Sequence, residues 1–203
     1  MGRPREHGAE TRAALLKTAA ALVTSEGVDA VTVRRVATES GTTTRAVYSL
    51  FGDKEGLLRA LFKEITDSMR RHHYAVPVRP DPVAEIAELA LAYRAAAREQ
   101  AALYPLYLGA GPQNLGPSTE DIAEALASQE RVLDAVRRAV DSGRFPGRIP
   151  EATVVQLWSL VHGLASIELC GYLGDEQQAA RHWNDAVTAA LVGYQQSPPR
   201  EPA

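Results

Sequence analysis

The sequence predicts an all-α fold in which a small N-terminal three-helix domain with a helix-turn-helix is joined by a helix to a larger all-helical domain. Three observations predict it. Apolar residues recur at helical spacing over most of the chain, without a convincing strand alternation. Two short helical segments flank Gly41, as in a helix-turn-helix. A proline-punctuated segment, residues 75–82, separates the two domains.

The composition is that of a folded protein, because 203 residues with a hydrophobic fraction of 45% can bury a core. Cys170 is the single cysteine, which excludes an internal disulfide and a cysteine metal cluster. The sequence has neither a signal-peptide pattern nor eighteen consecutive uncharged apolar residues, so we expect a cytoplasmic protein without a membrane partner.

The net charge of −3 is unevenly distributed. Residues 1–71 hold twelve Lys and Arg against nine Asp and Glu, whereas the remainder holds ten against sixteen. Nucleic-acid binding depends on local basic surface rather than on the total charge, so the N-terminal excess is compatible with it.

The N-terminus begins with a segment that we expect to be a flexible basic arm, residues 1–8. Such an arm can enter a minor groove, and it can equally be a tail without a role. A helix follows over residues 9–25, with Leu15, Ala19 and Leu22 on one face and Gly27 as its C-terminal cap. This helix is the expected scaffold for the two short helices.

The helix-turn-helix consists of a helix over residues 33–39, a turn at Gly41 and a second helix over residues 44–51. Thr32 is placed to cap the first helix, since its hydroxyl can accept an unpaired amide of the first turn. The first helix carries one apolar stripe, which we expect to face the core. The apolar residues that hold down the second helix are Val47, Leu50 and Phe51.

The second short helix is polar where a base-reading helix must be polar. Threonines occupy positions 42–44, where hydroxyls can cap the helix or contact phosphate, and Arg45, one turn from Ser49, can reach a base edge. Tyr48 lies off the apolar face and can place its hydroxyl on a phosphate. Lys54 opens the next helix beside amides that favour an anion. The alternative is that Tyr48 and Lys54 are ordinary surface residues.

Residues 11–62, with the core TTTRAVYSLFGDKEGLL, resemble the DNA-binding domain of the TetR family of transcriptional regulators. In that family a Gly turn, a Tyr-x-x-Phe pair and Lys-Glu-x-Leu-Leu recur. The resemblance makes residues 9–52 the DNA-binding domain, with Arg34 at a position that reaches DNA in some members. The residues implied to face bases are Thr44, Arg45 and Ser49, and those implied to face phosphates are Thr32, Thr43, Tyr48 and Lys54.

In the connecting helix, residues 53–74, the first half is expected to belong to the DNA-binding core and the second half to lead into the second domain. A rigid shift of this helix would change the separation of two DNA-reading helices in a dimer. His72 and His73 near its end make a poor metal-chelating pair, because adjacent helical residues diverge by about 100°. We interpret them as charged groups that interact with the helix C-terminus.

The second domain, residues 82–196, is predicted to be helical throughout, and residues 197–203 a disordered tail. The predicted helices are residues 82–101, a short one at 104–108, one that Ser118 or Thr119 caps and that ends near 141, and two long ones at 151–172 and 176–195. The loops are residues 109–119 and 143–150.

The first of the two long helices carries apolar residues on more than one face, so it needs two partners, and the second can be the same helix of another subunit. In the TetR family the last two helices form a four-helix dimer interface, and this sequence is compatible with that arrangement. The residues that we expect at the interface are Val161, Leu169, Trp183, Val187 and Leu191.

A second resemblance concerns Trp158, His162 and Gly163 in LWSLVHGLASIELCGYL, which are similar to the Trp-x-x-x-His-Gly pattern of one C-terminal subclass of TetR regulators. The pattern implies no ligand. A small-molecule site is mostly apolar with a few oriented polar groups. The residues that we expect to line such a site are Tyr93, Tyr104, Tyr107, Trp158 and His162. Each could instead pack the core, and for His162 the core role is slightly favoured.

The combined prediction is a homodimeric, ligand-responsive transcriptional regulator, a repressor in the first instance, that binds a palindromic operator in double-stranded DNA. Its two reading helices would lie about 34–36 Å apart or somewhat more. A small apolar effector would release it. Activation of transcription instead of repression is possible on the same physics, and the sequence does not decide between them.

Two alternatives come from other classes. One is a helical protein-interaction module without sequence-specific DNA binding. The other is an enzyme, for which we find no nucleophile with its base, no paired carboxylates and no metal cluster. We therefore predict no catalytic residue, metal or cofactor.

Overall fold

The computed structural model describes residues 3–104, 123 and 125–196, with the backbone alone for residues 3–7. The described helices are α1 (Arg3–Glu26), α2 (Val33–Glu39), α3 (Thr44–Phe51), α4 (Lys54–Ala75), α5 (Pro82–Glu99), α6 (Glu130–Asp141), α7 (Pro150–Leu169) and α8 (Glu176–Gln196). A short 3₁₀ helix, Val28–Ala30, joins α1 to α2. This part of the chain contains helices and no strands, which confirms the all-α prediction.

Several predicted elements lie outside the described residues. They are most of the short helix at 104–108, the loop at 109–119, the cap at Ser118 or Thr119 and the tail at 197–203. The described residues divide into two compact units, one formed by residues 3–66 and 100–104 and the other by residues 67–99, 123 and 125–196. The connecting helix α4 contributes residues to both units.

In the first unit, α1 packs against α2 and α3. The core is apolar, as the helical spacing predicted; its buried residues include Leu15, Ala19, Leu22, Val31, Val36, Val47, Leu57 and Leu61. Val47 is the residue of α3 that is fully buried, so one side chain anchors the second short helix while most of its surface stays exposed.

Local signals fix the helix-turn-helix. Thr32 and Thr43 adopt extended backbone conformations, and their hydroxyls accept hydrogen bonds from the amides of Arg35 and Ala46, both at 3.2 Å. Gly41, with φ of 67°, lies in the left-handed region that side chains disfavour, so the turn between the helices requires glycine. The bounds of α2 and α3 are accordingly those that the sequence predicts.

Gly56 meets a different requirement, which is close approach. A Cβ atom at this position would lie 1.9 Å from the carbonyl oxygen of Phe51. The first turn of α4 therefore packs directly on the end of α3, and the Asp53 carboxylate caps it by accepting from the Gly56 amide at 2.7 Å.

The helix α1 begins at Arg3, six residues before the predicted start, and thus includes residues that we assigned to a flexible arm. Pro4 does not oppose this start, because the first helical turn has no partner for its amides. Gly8 weakens helix formation by only about 1 kcal/mol relative to alanine.

In the second unit, α5 is the central helix and contacts α6, α7 and α8, while α7 packs against α6 and α8. Its interior is built around large side chains; those that are fully buried include Met69, Ile86, Leu89, Tyr93, Phe145 and Trp183. The loop between α6 and α7 turns at Gly143 and Gly147, both with positive φ.

A buried ionic group ties α5, α7 and α8 together. Arg94 of α5 pairs with Glu168 of α7 at 2.7 Å, and the Trp183 indole of α8 donates to the same carboxylate at 2.5 Å. Burial acts to raise the pKa of Glu168, but these hydrogen bonds outweigh burial and leave the pKa below its ordinary value. The carboxylate is therefore ionised and holds three helices together.

A second buried carboxylate, Glu85, fixes the segment between α4 and α5. It pairs with Arg131 at 2.8 Å and Arg138 at 2.6 Å, and it accepts the Arg79 amide at 2.7 Å. The guanidinium of Arg131 also donates to the Val76 carbonyl at 3.1 Å. Residues 76–81 are thus held against α6 instead of forming a loose linker.

Candidate nucleic-acid interface, effector cleft and dimer surface

The surface of α3 presents the predicted base-facing residues to solvent. Thr44, Arg45 and Ser49 are exposed, and so is Tyr48, with 56% of its surface accessible. All four side chains are therefore free to contact DNA, although their contact with bases or phosphates stays a prediction.

The hydroxyls of Thr32 and Thr43 serve as helix caps, which occupies their acceptor role. A hydroxyl that accepts a hydrogen bond keeps its own proton, so each can still donate to a phosphate oxygen. Both residues are exposed at the N-termini of the short helices, where anions are favoured.

The arginines of the helix-turn-helix differ in a way that the sequence alone does not show. Arg35 binds Glu26 of α1 at 2.5 Å and Glu39 of α2 at 2.7 Å. Those hydrogen bonds raise the pKa of Arg35, so its cation is fully committed to holding α2 against α1. Arg34 and Arg45 are exposed and have no salt-bridge partner among the described residues. These two cations remain available to DNA.

Lys54 is half-buried at the start of α4. One of the amides beside it, that of Gly56, is already taken by the Asp53 carboxylate. One of the amides that we predicted to favour an anion is thus already hydrogen-bonded within the chain. The Lys54 ammonium is therefore a stronger candidate for a phosphate contact than these amides.

A small cleft lies within the second unit and is partly open to solvent; its internal space of about 20 Å³ is enough for about one water molecule. The described residues that line it are His73, Ile86, Leu89, Ala90, Tyr93, Gln129, Val132, Leu157, Trp158 and Val161. This wall is mostly apolar and carries no charged group apart from the titratable His73.

The five residues predicted to form an effector site have different positions. Tyr93 and Trp158 line the cleft, and the Tyr93 hydroxyl lies 3.2 Å from Nδ1 of His162. Tyr104 is buried, groups with the first unit and is not among the described residues of the cleft wall. Tyr107 lies outside the described residues.

His162 is half-buried, and burial lowers its pKa. Besides Tyr93, its ring contacts Trp158 at 6.1 Å between centroids, and its Nε2 atom lies 3.3 Å from the Ser166 hydroxyl. His162 is thus a neutral polar group that holds Tyr93 at the edge of the cleft. This role is intermediate between the effector-site role and the core role that the sequence left open.

His73 is the cleft residue that the sequence analysis missed. It is 1% exposed, and its Nδ1 atom lies 2.9 Å from the Ser128 carbonyl oxygen. Burial lowers the pKa of His73 despite that hydrogen bond, and the nearby His72 and Arg131 lower it further.

The predicted charged interaction of His73 with the helix C-terminus is therefore wrong, and His72 instead lies 2.7 Å from the Glu99 carboxylate. His73 follows the buried Ile65 and Met69 at intervals of four residues along α4. This helical spacing is the signal that could have placed it inside.

Four of the five predicted dimer residues lie in the interior of the second unit. Val161, Trp183, Val187 and Leu191 are all buried inside the second unit, with at most 5% exposed, and Leu169 is half-buried. Side chains in the core of one chain have no surface to offer another. The periodicity identified the buried face of each helix correctly but does not say which of two apolar faces packs internally.

The opposite face of α7 carries a row of exposed residues at intervals of four, which we call the α7 stripe: Val155, Ser159, Gly163 and Ile167. A Cβ atom at Gly163 would meet nothing within 4 Å, so no contact inside the described chain calls for glycine there. By length and composition alone, α7 is also apolar enough to cross a membrane, and only 28% of its apolar window is buried. The helix thus has apolar surface that the described chain leaves uncovered.

Within the described ranges, no group of three His, Cys, Asp or Glu side chains is arranged to hold a metal ion.

Comparison with known families places both parts of the chain. Residues 15–61 match the family described as bacterial regulatory proteins, tetR family, and residues 86–191 match the family described as tetracyclin repressor-like, C-terminal domain. The match to the Trp-x-x-x-His-Gly subclass that we expected is not among these findings. None of the curated proteins compared matches the chain.

Solved structures share the fold. A protein of unknown function from a Rhodococcus species is 24% identical with a TM-score of 0.74, over 92% of this chain and 96% of its own. PfmR from Thermus thermophilus, a TetR family transcriptional regulator, is 20% identical with a TM-score of 0.72, over 90% and 99%. A TetR variant from Acinetobacter baumannii, in complex with minocycline, is 17% identical with a TM-score of 0.61, over 90% and 97%.

Proposed function

Because the chain belongs to the TetR family of bacterial transcriptional regulators, we propose that it is a dimeric repressor that binds a palindromic operator and is released by a small molecule. The observation that carries this proposal is the surface of α3. A capped helix anchored by Val47 exposes Thr44, Arg45 and Ser49 together, and Arg45 is free of internal salt bridges in the described chain. Arginine without a partner, on a helix suited to the major groove, is the donor that guanine recognition needs.

Dimerisation through the α7 stripe supplies the second half-site reader. Val155 and Ile167 provide apolar area at its ends, and Ser159 and Gly163 between them allow the backbone of a second helix to approach closely. Glycine in mid-helix costs roughly 1 kcal/mol against alanine, and close contact with a partner offsets that cost. A twofold arrangement pairs α7 with its own copy. We propose that this assembly acts in the cytoplasm.

The effector site is the cleft of the second unit. The minocycline complex of the Acinetobacter protein supports the idea that this fold accepts small molecules. In the present chain the cleft is small and mostly apolar, which favours a compact effector over a large polar one.

The helix α4 links effector binding to DNA binding in this proposal. It is uninterrupted from Lys54 to Ala75, contributes Leu57 and Leu61 to the core of the first unit, and places His73 in the cleft wall. An effector that displaces His73 would therefore act on the helix that begins at the DNA-binding core. A hundredfold loss of operator affinity needs only about 2.7 kcal/mol of coupling.

Selection of bound duplexes from a random library tests the proposal, at about 150 mM salt so that non-specific phosphate binding is suppressed. We expect a palindromic consensus. If folded, dimeric protein enriches no sequence, the chain is instead a helical interaction module.

A further inference from the structure

The exposed face of α7 continues beyond the α7 stripe at both ends. Ala152 lies three residues before the stripe and Cys170 three residues after it, and both are small and exposed. Farther out are two large apolar side chains, Ile149 at the N-cap of α7, 61% exposed, and Tyr172, 82% exposed. These four residues and the α7 stripe together form the extended stripe. None of its members carries a charge, so a second copy can cover it without bringing like charges together.

Tyr172 is held beside the stripe by the way α7 ends. The Tyr172 amide donates to the Ile167 carbonyl at 3.0 Å, and the Gly171 amide donates to the Glu168 carbonyl at 2.8 Å. With Gly171 at a φ of 81°, these two bonds form the Schellman motif, in which the chain turns back over the last turn of the helix. The Tyr172 backbone therefore lies beside the last turn of α7 and continues the extended stripe there.

The extended stripe is symmetric about position 161 in the size of its side chains. Val155 and Ile167 lie six residues from that position and are both branched and apolar. Ser159 and Gly163 lie two residues from it and are both small. The additions repeat the pattern, with two small residues nine positions away and two large ones eleven or twelve positions away. The order of sizes along the face is thus nearly the same from either end.

A twofold axis brings each residue of an antiparallel helix pair level with the residue that lies equally far beyond the axis. We infer that two copies pair their α7 helices antiparallel, with the axis at position 161. Ser159 then lies level with Gly163 of the partner subunit. Val155 lies level with Ile167 of the partner subunit, and each large side chain has small partner residues at the neighbouring levels, which leave a hole for it. This inference rests on the proposed function, because it fixes the register of the dimer proposed there.

The residues near the axis allow close contact. The Ser159 hydroxyl already donates to the Val155 carbonyl at 2.8 Å, so a partner helix can cover it without leaving its proton unpaired. A Cβ atom at Gly163 would meet nothing within 4 Å, which leaves room for the backbone of the partner helix. The two helices can therefore approach most closely at the axis, between the larger side chains on either side.

A register shifted by one turn loses the match of sizes. In one direction Ile167 comes level with the charged Glu151 of the partner subunit. In the other direction Val155 comes level with Gly171 of the partner subunit, past the end of α7. The first shift removes water from a carboxylate, and the second loses apolar contact. The register centred on position 161 avoids both costs.

Ala152→Cys tests this register, with the native thiol of Cys170 as the second half of a disulfide. Two cysteines can be bridged only when their Cα atoms are within about 7 Å, and here Ala152 is level with Cys170 of the partner subunit. In a glutathione redox buffer the full-length variant should form a covalent dimer on a non-reducing gel, which is lost when Cys170→Ser is added. The wild type should form none, because its two thiols lie about 27 Å apart along the pair at about 1.5 Å per residue.

Gln156→Cys is the matched control, because it moves the new thiol by one turn on the same exposed face. It is level with the partner's Cys170 only in a shifted register, so its covalent dimer should form at least about tenfold more slowly than that of Ala152→Cys. Ala95→Cys, at an exposed position of α5 outside the extended stripe, measures disulfides formed by random collision.

The inference is overturned if Ala152→Cys cross-links no faster than Ala95→Cys, or if Gln156→Cys cross-links as fast as Ala152→Cys. Light scattering and operator selection separate these outcomes from failure of the proposed function. A dimer that selects an operator but cross-links through Gln156→Cys would retain the regulator and reject the register. Cross-linking through Ala152→Cys in a protein that selects no operator would retain the register and reject the repressor. A monomeric wild type would overturn the register and the proposed dimer together.

Discussion

Two neighbouring arginines of α2, Arg34 and Arg35, are equivalent in the sequence but differ in their contacts in the fold. Both follow the N-cap of α2, yet Arg35 is bound by two carboxylates while Arg34 is exposed and has no salt-bridge partner in the described chain. No local pattern distinguishes them, because Glu26 belongs to α1 and comes beside Arg35 only when the helices pack. This is a contact that sequence spacing cannot show.

Arg45→Ala should alter operator recognition by removing a base contact. The binding free energy for the operator with the preferred base should weaken by about 1–3 kcal/mol, and the protein should discriminate less between bases at that position of each half-site. Tyr48→Phe and Lys54→Ala should instead weaken binding to all sequences, and Lys54→Ala should lower the salt dependence. Fluorescence anisotropy on operator variants over a salt series measures both effects.

Arg35→Ala is the matched control for that experiment, because the same side chain is committed to Glu26 and Glu39 within the chain. It should leave base preference unchanged. If Arg45→Ala leaves the preference unchanged as well, α3 does not read the operator through this residue.

Gly56→Ala should destabilise the first unit. The added Cβ would lie 1.9 Å from the Phe51 carbonyl oxygen, so backbone must move, at a cost of about 1–3 kcal/mol. In α8, Gly193→Ala meets open space and should be neutral or stabilise by up to about 1 kcal/mol. Urea unfolding measures both, and equal effects of the two substitutions would show that the α3–α4 contact is not as close as described.

His73 should make stability depend on pH near neutrality. Its pKa is lowered from 6.5 in the folded chain, so below that value the unfolded chain binds the proton more readily than the folded chain. The stabilisation is therefore present above about pH 6.5 and is lost as the pH falls through the folded pKa. The melting temperature of the wild type should fall more steeply between pH 7.5 and about 5 than that of His73→Phe. Parallel curves would mean that the pKa of His73 is the same in the folded and the unfolded chain.

Among the helices, the sequence predicts best those whose bounds are set by residues close by in the chain. The bounds of α2 and α3 follow from threonine caps and from Gly41, all of which act within a few residues. The start of α1 is less well defined, since neither Pro4 nor Gly8 forbids a helix there. The faces of α7 are harder still. It is apolar on more than one side, so periodicity marks two candidate interfaces and only packing shows that Val161 is internal.

Ile167→Arg should convert the proposed dimer to monomers, because a charge buried at one end of the α7 stripe is left without a partner. Val78→Arg is the control, since Val78 is 67% exposed outside the α7 stripe. Leu191→Arg is unsuitable as a test, because Leu191 is 5% exposed in the core and its replacement would unfold the chain. Mass from light scattering measures the result, and an Ile167→Arg protein that remains dimeric would place the interface elsewhere.

For the molecule as a whole, the charge distribution and the division into two units fit one assignment. The first unit exposes cations on a helix-turn-helix, the second encloses an apolar cleft, and α4 contributes to both. From motifs and proline-rich punctuation the sequence predicts an N-terminal helix-turn-helix part and a C-terminal helical part, whereas residues 100–104 of the predicted second domain group with the first unit. The sequence did not predict the cleft, because His73 and Gln129 are more than fifty residues apart in the sequence and line one cleft only in the folded chain.

Two copies of the chain are proposed to read one operator at a fixed separation. The most direct test inserts five base pairs between the half-sites of the selected operator. Five base pairs are about half a helical turn, so the insertion moves the second half-site to the opposite side of the duplex. We predict that affinity falls to the level of a single half-site and that two copies bind each intact operator. Unchanged affinity after the insertion, or one copy per operator, would contradict a dimeric reader.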